Sequence, residues 1–409
     1  MQGNAGIGKI NMRIEKVQYA SVQSTKTNPE STVEHNLAVV VGASSNRKRQ
    51  EVALFEECPH FRTMLVFSST EKPWTTDGAD HAYSELVKLL PDFVSRVAVR
   101  KPYSPVSLVK LSNLEKCLED FAVINCIELY SFISRQCAKV AHEKGKKLAV
   151  SVFETIPSSP LHKVPPFSQN VKEVLRQADT FIAYSRRSGD YLRQLVVSEE
   201  KIKIIYPGVD LEKFHPPKEH THSNIRILFV GGFAGEKGLD VLLKAFSRIH
   251  VDVPQAELWI CAEPRSKRQK ALIQTYTRKY PVKAFGFLNH DEMPDIYRGC
   301  DIFCLPSCDK KMLRIKVWEE QFGFALVEAM ASGLPIVATD CGVVPEIVGN
   351  DNPIVPQKSV GALYQALLAL SNDEKYGKYL GIVNRAKATR LFDIKKQRLE
   401  MDKVLFELL

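Results

Sequence analysis

The stretch ILFVGGFAGEKGLDVLLKAF, residues 227–246, decides the fold. Its first four residues form an unbroken apolar run, as expected of a strand covered on both faces. Four glycines follow, Gly231, Gly232, Gly235 and Gly238. From Leu239 the apolar residues fall at Leu239, Leu242, Leu243 and Phe246, the spacing of a helix with one buried face. Glycines let a backbone approach a ligand closely. The following helix start presents unpaired N–H groups and a partial positive charge. Lys237 adds a full charge at the same place. Such a loop suits a diphosphate, although a tight turn with a solvated lysine fits the same residues.

Outward from this unit the strand–helix alternation repeats. Upstream, residues 37–42, 64–67, 122–126, 148–152 and 180–183 have the composition of strands, with helical patterns at 133–144 and 171–177. Downstream, strands are expected at 257–262, 284–287, 302–305 and 336–338. This pattern predicts an α/β chain of two Rossmann-like domains facing a cleft. The length of 409 residues also suits two cores better than one. The expected division is an irregular segment over 1–35, one domain over 36–208 and a second over 209–390. Residues 391–409 are expected to form a C-terminal helix that packs back toward the first domain.

A second segment with chemical content is EEQFGFALVEAMASGLPIVATD, residues 319–340. Gly323 interrupts any helix holding both Glu320 and Glu328. Glu320 is therefore expected in a loop, and Glu328 in a helix that starts near Phe324 and stops at Gly333. Pro335 prevents continuation. This places a helix N-terminus toward the cleft with a carboxylate on each side. Carboxylate oxygens accept hydrogen bonds from sugar hydroxyls, so the pattern suits an anionic, hydroxyl-bearing ligand. A capped helix with two exposed glutamates is the plainer alternative.

Composition narrows the rest. The chain is 44% hydrophobic and 25% charged, ordinary for a globular protein. Its net charge is +9, and residues 1–205 hold 28 Lys and Arg against 22 Asp and Glu. No recognition motif accompanies the charge, so nucleic acid is not an expected partner. Nine cysteines in a chain of this length do not make a disulfide framework. Cys300, Cys304 and Cys308 lack the partners of a zinc site, and no metal is expected. His162 and His290 are isolated in sequence and read as surface or loop residues. Gly3 to Lys9 imitates a P-loop, but Ile10 replaces the required Ser or Thr and no strand precedes it. The N-terminus lacks a signal-peptide pattern and no run reaches the ~20 apolar residues of a spanning helix. A cytoplasmic protein, peripheral at the inner face of the membrane, is the expectation.

Together these segments resemble the family 4 glycosyltransferases of the group 1 type, which have the GT-B fold and retain anomeric configuration. The likeness rests on Tyr206-Pro207-Gly208-Val209-Asp210 with Phe214, on Gly231 to Gly238 with Leu239-Asp240-Val241-Leu242, and on Phe285-Gly286-Phe287-Leu288. It continues through Tyr297, Asp301 to Ser307, the E-x7-E segment Glu320 to Glu328, and Pro345-Glu346. It is strong over about residues 120–385 and weaker over 36–119.

The resemblance implies transfer of a hexose from a UDP- or GDP-sugar to a glycan or lipid-linked acceptor. The acceptor would bind the first domain and the nucleotide sugar the second, with no cofactor or metal. In that scheme Glu320 contacts the donor sugar, Glu328 the ribose, and Lys237 the diphosphate, with Gly231 and Gly232 beside it. Phe287 and Leu288 belong to the base loop. Gly323 and the N–H groups of Phe324, Ala325 and Leu326 face the sugar and diphosphate.

Two positions depart from the family. Arginine usually stands where Gly232 is, leaving Arg314 or Lys316, in the basic loop between Ser307 and Glu320, as candidates for the missing charge. Relatives often carry histidine where Phe153 and Glu154 lie. Glu154 is a candidate to bind or deprotonate an acceptor hydroxyl, and Glu128 a candidate to line the acceptor cleft. The competing functions are a catalytically inactive GT-B binding protein, and another GT-B enzyme such as a nucleotide-sugar epimerase. An anionic membrane surface is a further expected partner.

Overall fold

The computed structural model describes residues 35–42, 53–68, 80–84, 86–88, 109–157, 159, 162–219 and 223–409. The expected irregular segment up to residue 34 and the P-loop-like Gly3 to Lys9 lie outside the described residues.

The strands of the first half are β1 (His35–Gly42), β2 (Phe61–Ser68), β3 (Asp80–Ser84), β4 (Leu86–Lys88), β5 (Val109–Leu111), β6 (Val123–Ile127), β7 (Lys147–Val152), β8 (Thr180–Ala183) and β9 (Ile202–Ile204). Seven form a parallel sheet in the order β3-β2-β1-β6-β7-β8-β9, while β4 and β5 pair separately as an antiparallel ribbon. Those of the second half are β10 (Ile225–Val230), β11 (Ala256–Cys261), β12 (Val282–Ala284), β13 (Ile302–Leu305), β14 (Lys310–Met312), β15 (Ile315–Trp318), β16 (Ile336–Thr339) and β17 (Ile354–Val355). Six of these make a parallel sheet, β12-β11-β10-β13-β16-β17, and β14 and β15 form an antiparallel hairpin.

The helices are α1 (Leu114–Cys117), α2 (Phe132–Lys144), α3 (Phe167–Gln177), α4 (Arg186–Gln194), α5 (Leu239–Asp252), α6 (Lys267–Lys279), α7 (Met293–Arg298), α8 (Phe324–Ala331), α9 (Val344–Val348), α10 (Val360–Asn372), α11 (Glu374–Leu391) and α12 (Ile394–Phe406). They cover both faces of the sheets, which explains the unbroken apolar runs. In β1, Leu37, Val39 and Val41 enter one core while Ala38 and Val40 enter the opposite one. In β10, Leu228 faces one core, and Ile227 and Phe229 the other. Full burial of each Leu, Val, Ile or Phe side chain among them contributes about 1.5–3 kcal/mol.

Strand order reverses in both sheets, at β1/β6 and at β10/β13. Crevices at such reversals, beyond the carboxyl ends of the strands, are where open α/β sheets bind ligands. The loop after β10 begins at Gly231 and the segment after β13 at Pro306. In the first half, β6 runs into Glu128 and β7 into Phe153-Glu154. The topology thus gathers these residues at sheet ends facing the crevices.

Two stretches of chain run side by side where the halves join. Val209 donates to the Phe392 carbonyl at 2.7 Å, and Ile394 donates back to the Val209 carbonyl at 3.1 Å. Gly208 makes this approach possible, because a Cβ there would lie 2.4 Å from the Ile394 Cα. Beyond this point α12 packs onto the first sheet's side. Arg398 donates to the Ala53 carbonyl at 2.8 Å and pairs with Glu56 and Glu57, and Asp402 accepts the His60 N–H at 2.9 Å.

Three expectations need correction. β1 starts at His35, opposite Phe61, one residue inside the segment expected to be irregular. The strand expected over 284–287 is β12, which ends at Ala284, because Gly286 takes a left-handed φ of +73° and turns the chain away. The basic segment between Ser307 and Glu320, expected as a loop, is the β14–β15 hairpin.

Candidate functional site

The glycine-rich loop leaves β10 at the strand-order reversal. Gly238, at φ +68°, caps α5 and lies against the end of β13, where an added Cβ would meet the Pro306 carbonyl oxygen at 1.9 Å. Only glycine allows that approach. It seats the preceding turn, Gly235–Lys237, above the second sheet's crevice. The Lys237 ammonium contacts both carboxylate oxygens of Glu320, at 2.9 and 2.7 Å, and lies 5.1 Å above the Trp318 ring.

Glu320 is buried and tightly held. Ser307 donates to its Oε2 at 2.8 Å, and its carbonyl accepts the Val343 N–H at 2.9 Å. Gly342, at φ +58°, makes room for that carbonyl, since a Cβ there would fall 2.2 Å from it. Gly323, at φ +77°, then caps α8, which runs from Phe324 to Ala331, and Gly333 follows at φ +72°. The Leu326 N–H is donated within the turn to the Gly323 carbonyl at 2.8 Å. This corrects the expectation that Leu326 offers its amide to a ligand. The first-turn amides without intrahelical partners are those of Phe324 and Ala325.

Glu328, on α8, is buried and oriented from two sides. Tyr297 donates to its Oε2 at 2.8 Å, and His290 Nε2 lies 2.9 Å from its Oε1. Burial, then the Glu328 charge, pushes the Tyr297 hydroxyl well above its ordinary pKa, so it remains a donor. His290 is therefore a partner of a candidate site residue and not an isolated loop residue. No local sequence signal connects positions 290 and 328.

Glu319 escaped sequence reasoning because its neighbour drew attention first. It is buried, and Arg187 at the start of α4 reaches it from the first half of the chain. Arg187 donates from Nε at 2.6 Å and from its terminal nitrogen at 2.9 Å. Lys316 adds a bond at 2.8 Å and also pairs with Asp309 at 2.7 Å. Burial pushes the Glu319 carboxyl up, but the bonds from Arg187 and Lys316 outweigh it and hold it below the ordinary value. Lys316 is thus held by two carboxylates, and Arg314 sits in the hairpin turn. Glu346, noticed only through the family motif, accepts the Arg186 and Arg187 N–H groups at 2.7 and 3.2 Å and the Tyr206 hydroxyl at 2.9 Å. Its carboxylate thereby sits at the N-terminus of α4, where negative charge is favoured.

The first half contributes two buried acids. Glu128, at φ +67°, accepts the Phe153 N–H at 3.0 Å and ties the end of β6 to the end of β7. Glu154 Oε1 accepts the Thr155 and Ile156 N–H groups, each at 2.8 Å. Burial raises its pKa, while those two bonds and the nearby groups act less strongly. Its other oxygen lies 4.0 Å from His162 Nε2. His162, read as a surface or loop residue, is buried between Tyr130 and Tyr191, and burial lowers its pKa to about 4. In the second half, Phe287 is 59% exposed beyond β12, and Leu288 packs on the core. Among the described residues, no group of three or more His, Cys, Asp and Glu is placed to hold a metal ion, and no helix is long and apolar enough to cross a membrane.

Residues 210–387 match the family model described as Glycosyl transferases group 1, and residues 65–213 the model described as Glycosyltransferase Family 4. The chain belongs to the family 4, group 1 glycosyltransferases, and its fold is GT-B. It is 28% identical to the MMP alpha-(1->4)-mannosyltransferase of Mycolicibacterium hassiacum over 231 residues, 55% of this chain and 53% of that protein. The chain thus spans about half the length of the curated relatives it matches. Sucrose-phosphate synthase from Thermosynechococcus elongatus shares the fold with a TM-score of 0.69 at 18% identity, over 92% of this chain and 99% of that one. HepE of Anabaena in complex with UDP-glucose gives a TM-score of 0.67 at 17% identity, over 90% and 99%.

Proposed function

We propose that this chain transfers a hexose from a UDP- or GDP-sugar to a glycan or lipid-linked acceptor with retention of anomeric configuration. The observation that carries the proposal is the contact of Lys237 with both oxygens of Glu320. In a nucleotide sugar the hexose and the diphosphate are covalent neighbours. A site for it therefore needs a cation for the diphosphate and an acceptor for sugar hydroxyls within a few ångströms, and this pair supplies both. Lys237 and the amides of Phe324 and Ala325 would neutralise charge on the departing diphosphate, the kind of fixed electrostatic stabilisation that often dominates catalysis. These groups would do the work of a metal. Glu328, oriented by Tyr297 and His290, would accept the ribose hydroxyls. The solved HepE complex contains UDP-glucose, and a relative is a mannosyltransferase, which supports a hexose donor.

In the first half, Glu128 and Glu154 would border the acceptor. With one oxygen of Glu154 engaged by two backbone amides, the other is the atom that would meet an acceptor hydroxyl. The test incubates the protein with labelled UDP-glucose, UDP-galactose and GDP-mannose and a panel of glycan and polyprenyl-linked acceptors, and determines the anomeric configuration of any product by NMR. Transfer with retention is the expected result. Binding without turnover would instead identify an inactive binding protein, and interconversion of the nucleotide sugar alone would identify an epimerase.

A further inference from the structure

The hairpin formed by β14 and β15 is anchored at its base and bare at its tip. At the base, Lys316 pairs with Asp309 and Glu319, and the Asp309 N–H is donated to Gln357 at 2.7 Å. Beyond that point every residue from Lys310 to Ile315 is exposed. Three of the six are apolar: Met312 is 61% exposed, Leu313 90% and Ile315 44%. The other three are Lys311, Arg314 and Lys310, which also pairs with Glu236 at 3.7 Å.

The turn itself carries a second signal. Leu313 and Arg314, its two central residues, have φ of +48° and +68°. Tight hairpins of this kind favour Asn-Gly or Asp-Gly, because the Cβ of most residues lies too close to the following carbonyl oxygen in the left-handed region. This chain instead holds a leucine there, in solvent. Such an outlier points to a role for the side chain.

We infer that the hairpin tip inserts Met312, Leu313 and Ile315 into the interface of an anionic lipid bilayer, with Lys310, Lys311 and Arg314 at the head groups. A convex tip of six residues is far too small for a stable protein interface, which needs roughly 800 Å² from each partner. A bilayer requires no matching pocket, and exposed cations around an apolar tip complement its surface. The strand that leaves the tip, β15, ends at Trp318 and leads directly into Glu319 and Glu320. Docking would thus hold the proposed donor site at the surface where a lipid-linked acceptor resides. That purpose, though not the docking itself, rests on the proposed function.

The test is co-sedimentation of the full chain with vesicles of phosphatidylcholine alone or mixed with phosphatidylglycerol, at low and high salt. Wild type should bind the mixed vesicles at low salt and release at high salt, as screening requires. Leu313→Asn removes the most exposed of the three apolar side chains while suiting the turn, so it should fold at least as well and bind less. Lys311→Glu should weaken binding about fivefold or more, the effect of each charge near an anionic surface. Equal binding of wild type to both vesicle types, or unchanged binding by both variants, would overturn the inference. Melting temperatures of the same samples with added nucleotide sugar report separately on the donor site. An intact response there, beside failed vesicle binding, rejects the lipid contact and leaves the transfer proposal standing.

Discussion

The Nζ of Lys237 lies 2.9 and 2.7 Å from the two carboxylate oxygens of Glu320, although 83 positions separate them in the chain. The loop after β10 and the segment after β15 meet because Gly238 and Gly342 let backbone approach backbone. Lys237→Ala should therefore lower donor turnover strongly. Loss of one charge-assisted contact costs about 1.5–3 kcal/mol, or roughly 10- to 150-fold in kcat/KM. Steady-state kinetics with saturating acceptor would show it, and wild-type kinetics would place the diphosphate elsewhere.

The two glutamates of the E-x7-E segment should fail differently. Glu328 faces His290 and Tyr297, so Glu328→Ala is expected mainly to raise KM for the donor. Glu320→Ala is expected mainly to lower kcat, because its carboxylate adjoins the cation assigned to the leaving group. Tyr297→Phe should give a milder form of the Glu328→Ala defect, about 1 kcal/mol. If both alanine variants alter the same kinetic constant to the same degree, the division of roles is wrong.

The fold and the second-domain loops were legible because their signals are local. A strand, glycines at fixed offsets and a 3.6-residue period sit within twenty residues from Ile227 to Phe246. Gly323 and Gly333 likewise mark both ends of α8 in plain sequence. The partners were illegible because they are distant. Nothing near His290 announces Glu328, and nothing near Arg187 announces Glu319. His162 read as a surface or loop residue because polarity was the only cue, whereas the flanking aromatics Tyr130 and Tyr191 bury it. The hairpin over 310–318 was missed for another reason: its turn lacks the Asn-Gly or Asp-Gly that usually identifies one.

The bond between Arg187 and Glu319 joins the two halves and should set part of the response to acid. Glu319 has its pKa lowered in the fold, so its contribution is fully present above the ordinary value of 4.5. It is lost as pH falls through the lower folded value. At pH 7, Arg187→Ala should destabilise by about 1 kcal/mol, a modest figure because the guanidinium is partly exposed and screened. Thermal melts from neutral to acid pH should show the gap between variant and wild type closing below about pH 4.5. A gap that widens on acidification would contradict the assignment.

Gly208 should tolerate no side chain. An added Cβ would lie 2.4 Å from the Ile394 Cα and 2.8 Å from its nitrogen, and backbone cannot rotate away as a side chain can. Gly208→Ala is expected to cost about 3 kcal/mol. It should also displace α12, lowering the melting temperature and exposing the contacts of Arg398 and Asp402. Limited proteolysis near residue 393 would report that displacement; a melting curve identical to wild type would remove the steric argument.

The most direct test is thermal unfolding with UDP-glucose, UDP-galactose and GDP-mannose, comparing wild type with Glu328→Ala. A ligand that binds only the folded state raises the melting temperature by mass action, by about 2.7 kcal/mol of added stability at a hundredfold excess over Kd. At least one of these nucleotide sugars should stabilise the wild type, and the same one should stabilise Glu328→Ala much less. No stabilisation of the wild type by any of them, or equal stabilisation of both proteins, would contradict a nucleotide-sugar site built on Lys237, Glu320 and Glu328.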